Sequence, residues 1–350
     1  MRVLVTGSAG FIGSAIAAAL EAQGDEVVRV DWMHPAAHGV AEAPPGTHRL
    51  DVREAAQDDR FLALLRGVDV VCHQAAMVGA GVAPRDLPAY AGHNDLGHAS
   101  LLAALHAAGV RRLVFASSMV VYGEGRYRCV EHGMQVPGSR ATAALDAGDF
   151  ENHCSRCGRR LAWEPVEETA RLAPRSSYAA SKVAQEHYAI AWARQAAGAA
   201  IGLRYHNVYG PGMPRDTPYS GVAAIFRSSL ERAQAPQVFE DGGQMRDFVH
   251  VDDVARANLL AIRAVAEAPA ESCAAYNIAS GRPIAIRDVA ELVGRGAATP
   301  IDPEVTGRYR LGDVRHIVAS PEQARRVLGF TADVAPDDGL PAFATAPLRD

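Results

Sequence analysis

A doubly wound α/β fold with a parallel central sheet is what the sequence predicts, and three observations carry that prediction. Short apolar runs of strand length alternate with longer segments of helical period. Between the first run, Arg2-Val-Leu-Val-Thr6, and an alanine-rich helix through Ile16 and Leu20 stand Gly7, Gly10 and Gly13. The second run, Glu26-Val-Val-Arg-Val30, ends at an acidic residue, Asp31. These read together as a Rossmann dinucleotide cradle. Gly7 permits the tight turn, Gly10 lets the backbone approach a pyrophosphate, and Gly13 allows close helix-on-strand packing. The helix start, at Phe11 and Ile12, supplies N–H groups and the positive end of a dipole. A carboxylate at Asp31 accepts from the adenosine ribose hydroxyls and repels a 2′-phosphate, which favours NAD over NADP.

The later elements follow in order. His48-Arg-Leu-Asp51-Val52 is a short strand whose Asp51 reads equally as a ligand of the adenine edge or as the N-cap of a helix over 54–66. Val68-Asp-Val-Val-Cys72-His73 is a buried strand, and the small Ala75 and Ala76 after it let a cofactor lie close. Cys72 reads as an inert core thiol and His73 as a packed, hydrogen-bonded residue. The segment 89–108 reads as one long helix whose buried Asn94 satisfies nearby backbone groups. Arg112-Leu-Val-Phe-Ala-Ser-Ser118 is a strand that ends in hydroxyls, with Ser118 at the ligand edge. Ser176-Ser-Tyr178-Ala-Ala-Ser-Lys182 then opens a helix on which Tyr178 and Lys182 share one face. A Lys⁺ beside a phenol favours the phenolate, as does a positive nicotinamide ring. Tyr178 is therefore expected to act as a general base near neutral pH despite an ordinary pKa of about 10.

Composition narrows the rest. The chain has 350 residues, 49% hydrophobic and 21% charged, enough for a sizeable core in one large or two modest domains. A net charge of -5 gives no support for nucleic acid or an anionic membrane as partner. No apolar stretch reaches the roughly 18 residues of a membrane span, and the first strand starts at residue 2, so a cytoplasmic protein is expected. Five cysteines, three of them between 129 and 157, argue for metal or redox chemistry rather than a secreted disulfide scaffold.

The motifs also carry a family resemblance. Thr6 to Gly13, Ser117-Ser-Met-Val-Val-Tyr-Gly123, Tyr178-x-x-x-Lys182, Arg204-Tyr-His-Asn207-Val-Tyr-Gly-Pro211 and Arg246-Asp-Phe-Val-His-Val-Asp-Asp253 together resemble the extended short-chain dehydrogenase/reductase family, and more narrowly its nucleotide-sugar epimerases and dehydratases. The resemblance implies Ser118, Tyr178 and Lys182 as catalytic residues, with Lys182 also holding the nicotinamide ribose. Asn207 is implied as a ligand of the sugar-nucleotide diphosphate and Arg246 as a basic residue near it. Arg310-Leu-Gly-Asp-Val-Arg315-His316 is similar to the segment that closes over the nucleotide, with Arg315 as phosphate clamp, a role to which a planar guanidinium is suited. An ion pair with a neighbouring carboxylate is the alternative for both arginines. The family implies an NAD-binding region over 1–205, a smaller substrate region over 206–350 that includes Tyr276 to Ser280, and a return to the large sheet over 250–265. It also implies a homodimer through the Tyr-bearing helix and the helix near 89–108. His206 departs from the family, where an aromatic residue is commoner, and alters the polarity expected of the sugar pocket.

The interval between Ser118 and Tyr178 is longer than the family's. Its insertion, about 125–170, contains Cys129-Val-Glu-His132 and, after 21 residues, Cys154-Ser-Arg-Cys157-Gly158. Two such knuckles fit a tetrahedral Cys₃His zinc ribbon, with all four ligands from protein and the metal therefore structural. A redox Cys-x-x-Cys and unrelated surface thiols are the other readings, and His153 competes with His132 as ligand. The insertion's place between the catalytic strands suggests a flap near the substrate mouth.

For the reaction, the resemblance implies oxidation at sugar C4 to a transient 4-keto intermediate. A dehydratase of this family carries an Asp-Glu pair directly after the catalytic hydroxyl. Met119 and Val120 stand there and carry no proton, so 4-epimerisation is expected. The insertion, the stretch 218–226 and the stretch 240–250 are similar to dTDP-L-rhamnose 4-epimerases, which make dTDP-6-deoxy-L-talose. UDP-hexose or UDP-uronate 4-epimerisation, a nucleotide-sugar reductase or dehydratase, and a non-enzymatic NAD-sensing protein are the weaker alternatives.

Overall fold

The computed structural model describes residues 1–39, 42–79, 81, 83–215 and 221–349, so part of the 218–226 motif, residues 218–220, lies outside the described residues. Seven strands form one parallel sheet: β1 (Arg2–Thr6), β2 (Glu26–Asp31), β3 (Thr47–Arg49), β4 (Val70–His73), β5 (Arg112–Ser118), β6 (Ala199–Tyr205) and β7 (Ser272–Ile278). Their order is β3-β2-β1-β4-β5-β6-β7. The winding direction reverses between β1 and β4, which opens a crevice at the carboxyl ends of the strands. Four helices matter most here: α1 (Phe11–Ala22), α2 (Gly97–Ala108), α3 (Ser177–Gln195) and α4 (Val251–Glu267). On one face α1 and α4 set Ile16, Leu20, Val254 and Ile262 against Val3, Val5, Val70 and Ile201. On the other, α2 and α3 pack Leu101, Leu105, Ala189 and Trp192 on Leu4, Val71, Leu113 and Phe115. Cover on both faces is why the strands read as unbroken apolar runs.

Beyond β6, strands Asn207–Tyr209, Met245–His250 and Pro283–Ala285 form a small separate sheet. Helices Val222–Glu231, Ile286–Gly296 and Pro336–Phe343 bury Phe226, Leu230, Val289, Leu292 and Phe343 with it in a cluster of their own. The insertion has a third sheet, with strand Arg126–Cys129 paired antiparallel to both Gly133–Gln135 and Ala162–Glu164. Among the described residues no helix is long and apolar enough to cross a membrane.

Four sequence expectations change. Tyr276 to Ile278, expected in the smaller region, belongs to β7, which pairs with β6 from Ser272 opposite Ala199 to Ile278 opposite Tyr205. The return to the large sheet therefore extends past 265, and Ala324 and Leu328 join the same core. The helix expected over 54–66 is broken into a turn over Val52–Glu54 and a helix over Asp59–Leu64, because Asp51 and Asp58 each cap a separate start by accepting the N–H two residues on. The long helix over 89–108 contains a π turn over Ala91–Leu96. The insertion closes at Glu164 rather than near 170, since Val166 already pairs with Ala319 in the main body.

Candidate active site

The cradle forms at the carboxyl ends of β1 and β2. Gly7 has φ +67°, and a Cβ there would lie 2.7 Å from the backbone nitrogen of Ala75, which is how the alanines after β4 come to crowd the turn. At Gly13 a Cβ would lie 2.0 Å from the carbonyl oxygen of Gly7, so strand and helix touch backbone to backbone. Gly10 caps α1 with no side chain, and the first turn of α1 carries no acidic residue. The N–H groups of Phe11, Ile12 and Gly13 thus precede any intrahelical acceptor and face the crevice end uncompensated, which fits a dinucleotide diphosphate.

Asp31 ends β2 beside this turn. Its Oδ2 accepts the N–H of Ala9 at 3.0 Å, its Oδ1 accepts that of Met33 at 2.8 Å, and His38 Nε2 stands 3.4 Å away. Burial pushes this carboxyl up, but His38 and the two N–H groups outweigh it and hold it below the usual carboxylate range. A fixed carboxylate here suits ribose hydroxyls and resists a 2′-phosphate. Asp51 meets its capping alternative instead of presenting an open edge: it accepts the Arg53 N–H at 2.9 Å and pairs with the Arg53 guanidinium at 2.5 Å. Val52 opens the turn that Asp51 caps, and Ala76 follows Ala75 past the end of β4.

The catalytic candidates converge from two elements. Ser118 is the last residue of β5, and α3 starts at Ser177 with Ser176 as its cap, its hydroxyl accepting the Ala179 N–H at 3.1 Å. That cap fixes the first turn, which carries Tyr178 to the end of β5, where the Ser118 hydroxyl favours its ionised form. Lys182, one turn later, lies 5.9 Å from the Tyr178 ring centroid. Its ammonium donates to the Ala116 carbonyl at 2.9 Å and to Gln185 at 3.0 Å. Burial pushes Tyr178 up to about 12, with Ser118 pulling the other way, and pushes Lys182 down to about 7. Both groups sit in one desolvated wall, and burial there works against the charged form of each. Lys182 is also the chain's only lysine, a feature of the sequence that by itself singles out the position.

Asn94, from the π turn, braces this wall. Its carbonyl accepts the Met77 N–H at 2.7 Å while its amide donates to the Met77 carbonyl and to Ser181, each at 2.9 Å. His73 bonds Thr6 Oγ1 at 2.7 Å, and burial pushes the Cys72 thiol up to about 12, so both are core residues as the sequence suggested.

Comparison with known proteins places this geometry. The family model described as "NAD dependent epimerase/dehydratase family" matches residues 3–138 and 157–279. The chain belongs to that family. A relative named dTDP-L-rhamnose 4-epimerase, from Burkholderia thailandensis, is 32% identical and covers 98% of this chain and 94% of its own length. The solved UDP-glucose 4-epimerase of Thermus thermophilus with NAD is 31% identical, covers 98% of each chain and superposes with a TM-score of 0.75. MoeE5, solved with UDP-glucuronic acid and NAD, is 30% identical, covers 98% of this chain and 97% of its own, and has a TM-score of 0.74. The family match stops at 138 and resumes at 157, so the second cysteine knuckle, Cys154 and Cys157, falls around a break in the family pattern.

The three residues expected on the substrate side, Asn207, Arg246 and Arg315, divide. Asn207 lies past the end of β6, its amide donating to the Asp247 carbonyl at 2.8 Å and facing Met119 Sδ at 3.7 Å. Arg246 donates to the carbonyls of Met245 and Arg315 at 2.9 Å each and of Val314 at 2.7 Å. Arg315 is 1% exposed, and each nitrogen of its guanidinium donates to a carboxylate of Glu151, Glu240 or Asp241. All five of its N–H donors are spent, which leaves none for a phosphate. The ion-pair alternative therefore describes Arg315, with more distant partners than Asp313. In the same segment Arg308 and Arg310 are the solvent-facing cations, stacked over Phe239 at 5.3 and 4.9 Å from its centroid. The sequence held the distinction: Arg315 precedes the apolar run His316-Ile-Val-Ala319, while Arg310 precedes Leu-Gly-Asp.

In the insertion the four metal-ligand candidates meet. One ligand atom from each of Cys129, His132, Cys154 and Cys157 lies within 4.8 Å of the others. His132 Nδ1 is 3.6 Å from Cys129 Sγ and 3.5 Å from Cys154 Sγ, and the Cys129 and Cys157 sulfurs are 3.7 Å apart. These are the edge lengths of a tetrahedron around a zinc with Zn–S near 2.3 Å and Zn–N near 2.0 Å. The competing His153 instead faces Asp149 at 3.6 Å.

Proposed function

We propose that the protein is an NAD-dependent nucleotide-sugar 4-epimerase whose substrate is dTDP-L-rhamnose and whose product is dTDP-6-deoxy-L-talose. The observation that carries the reaction type is the convergence of Ser118, at the end of β5, with Tyr178 and Lys182 on the first turns of α3, with Met119-Val120 directly following Ser118. Ser118 holds the sugar C4 oxygen, and Tyr178 as phenolate takes its proton and later returns it. Lys182 and the nicotinamide are the positive charges that offset the burial now holding Tyr178 high. NAD, when bound on the cradle, supplies the hydride acceptor and donor for C4. The 4-keto form of dTDP-L-rhamnose carries a C6 methyl and has no C6 hydroxyl to lose, which agrees with a site that has no acid or base at 119 and 120, and return of hydride to the other face of C4 gives the epimer. The choice of sugar rests on the Burkholderia relative and on the insertion.

The same reading gives the insertion a structural zinc at Cys129, His132, Cys154 and Cys157. The crowded sulfurs favour a thiolate at Cys154 and disfavour a second one at Cys157, a repulsion that a shared cation would relieve. The insertion grips the segment that follows Gly307. Arg140 donates to the Asp313 carbonyl at 2.8 Å and Asp146 accepts from the Tyr309 hydroxyl at 2.5 Å, while Glu124, just before the insertion, accepts the Arg315 N–H at 3.1 Å. It is a strap that sets the position of Arg310 at the nucleotide. A cytoplasmic homodimer through α2 and α3 completes the reading, with Tyr188 and Ile190 of α3 exposed.

Proton NMR of purified protein mixed separately with dTDP-L-rhamnose, UDP-glucose and UDP-glucuronate tests it. C4 inversion of dTDP-L-rhamnose without net redox change is expected. Inversion of a UDP-sugar alone would replace the substrate, and accumulation of a 4-keto product would replace the reaction. Tyr178→Phe should lower turnover by about 10²–10⁴-fold while leaving copurified NAD in place.

A further inference from the structure

His206 is the buried side chain at this site that the mechanism leaves unused. It is 4% exposed, and neither ring nitrogen has a hydrogen-bond partner within the protein. Such a group costs stability, and natural proteins keep few without a reason. Its backbone is well held, the N–H donating to the Ile278 carbonyl at 3.1 Å. The register fixes its place: Tyr205 lies opposite Ser118 on the neighbouring strand, so His206 sits one residue further toward the crevice than the catalytic hydroxyl. Asn207 follows it, paired with Phe248. Arg246 is the charged neighbour. Burial and then that guanidinium push the imidazole down to about 3, so it is neutral at working pH.

We propose that His206 is a specificity-determining residue that hydrogen-bonds a hydroxyl of the hexosyl group of the bound sugar nucleotide. The inference rests on the proposed sugar-nucleotide function and deepens it. The chemistry selects the hydroxyl. A neutral imidazole carries one donor and one acceptor, and both are unmet here. Phosphate oxygens only accept and would leave the second nitrogen stranded, whereas sugar hydroxyls both give and accept. A site built to pair with a hydroxyl discriminates strongly against ligands that lack or invert it.

The test compares wild type, His206→Phe and His206→Gln by calorimetric titration with dTDP-L-rhamnose and UDP-glucose, and with dTDP and UDP alone. Phenylalanine removes both polar atoms and keeps the ring, so it is expected to raise or preserve the thermal midpoint of the ligand-free protein. The same variant should weaken binding of the preferred sugar nucleotide about tenfold, the loss of one well-made hydrogen bond, with affinity for the bare nucleoside diphosphate unchanged. Glutamine, which keeps a donor and an acceptor, should recover most of the loss. Equal losses for the sugar nucleotide and its bare diphosphate, or no loss in His206→Phe, would overturn the assignment. A lowered thermal midpoint with unchanged affinities would do so too, since it marks a purely structural histidine. Failure of the epimerase reading shows separately, as wild-type protein that binds a sugar nucleotide and does not invert it.

Discussion

A single lysine among 35 basic residues sits one helical turn from Tyr178. An arginine cannot lose its proton in a protein, whereas a buried lysine shifts readily, so the ammonium at this position is chemically distinct from the 34 arginines. Burial pushes Lys182 down to about 7. The folded pKa lies below the unfolded one, so between about 7 and 10.5 the unfolded chain binds more protons, and stability attributable to Lys182 rises with pH across that window. Below pH 7 both states are protonated and the cost of the buried charge is fully present. Cofactor-free wild type and Lys182→Met, compared by urea unfolding at pH 6.5, 8 and 9.5, should diverge accordingly, with wild type gaining on the variant as pH rises. A constant difference would mean that Lys182 does not titrate in that window. The motif made Lys182 legible, but its direction of shift was not, because desolvation depends on what α3 is pressed against.

At the scale of an element, the insertion shows how a short segment holds a shape without a large core. Tyr127, Cys129, Cys154 and Leu161 are its buried cluster, and two of the four are metal-ligand candidates. Metal binding in such a segment is folding free energy. Elemental analysis should find one zinc per chain, lost in Cys154→Ser. The strap contacts from Arg140, Asp146 and Glu124 then loosen, and KM for the sugar nucleotide should rise about tenfold or more with a smaller change in kcat. Arg140→Ala should reproduce part of that KM rise with zinc intact. Zinc loss without any change in KM would separate the metal from the site. The knuckle spacing picked out the four ligand candidates from sequence alone, since each pair is local. Nothing in it announced the grip on Tyr309, Asp313 and Arg315, which lie more than 150 residues further on in the chain.

Across the whole molecule, Arg315 is the tie among three parts: Glu151 from the insertion, Glu240 and Asp241 from the loop before strand Met245–His250, and its own C-terminal segment. Removing one partner from a buried ion cluster leaves uncompensated charge, so Arg315→Met should cost about 3–5 kcal/mol of stability, read as a lower denaturation midpoint. A phosphate clamp would instead give weaker nucleotide binding at unchanged stability. The sequence by itself determined the glycine cradle, the acidic end of β2, the Ser118/Tyr178/Lys182 set and the cysteine knuckles. Each of these is written in local spacing, where a turn, a helix face or a knuckle needs particular residues a few positions apart. Tertiary structure alone decided which arginines remain free to meet a ligand, that β7 belongs to the large sheet, and that His206 is buried with nothing to bond. Those outcomes depend on which distant segments share a desolvated space, and burial, not residue type, sets whether a polar group is spent, shifted or left waiting.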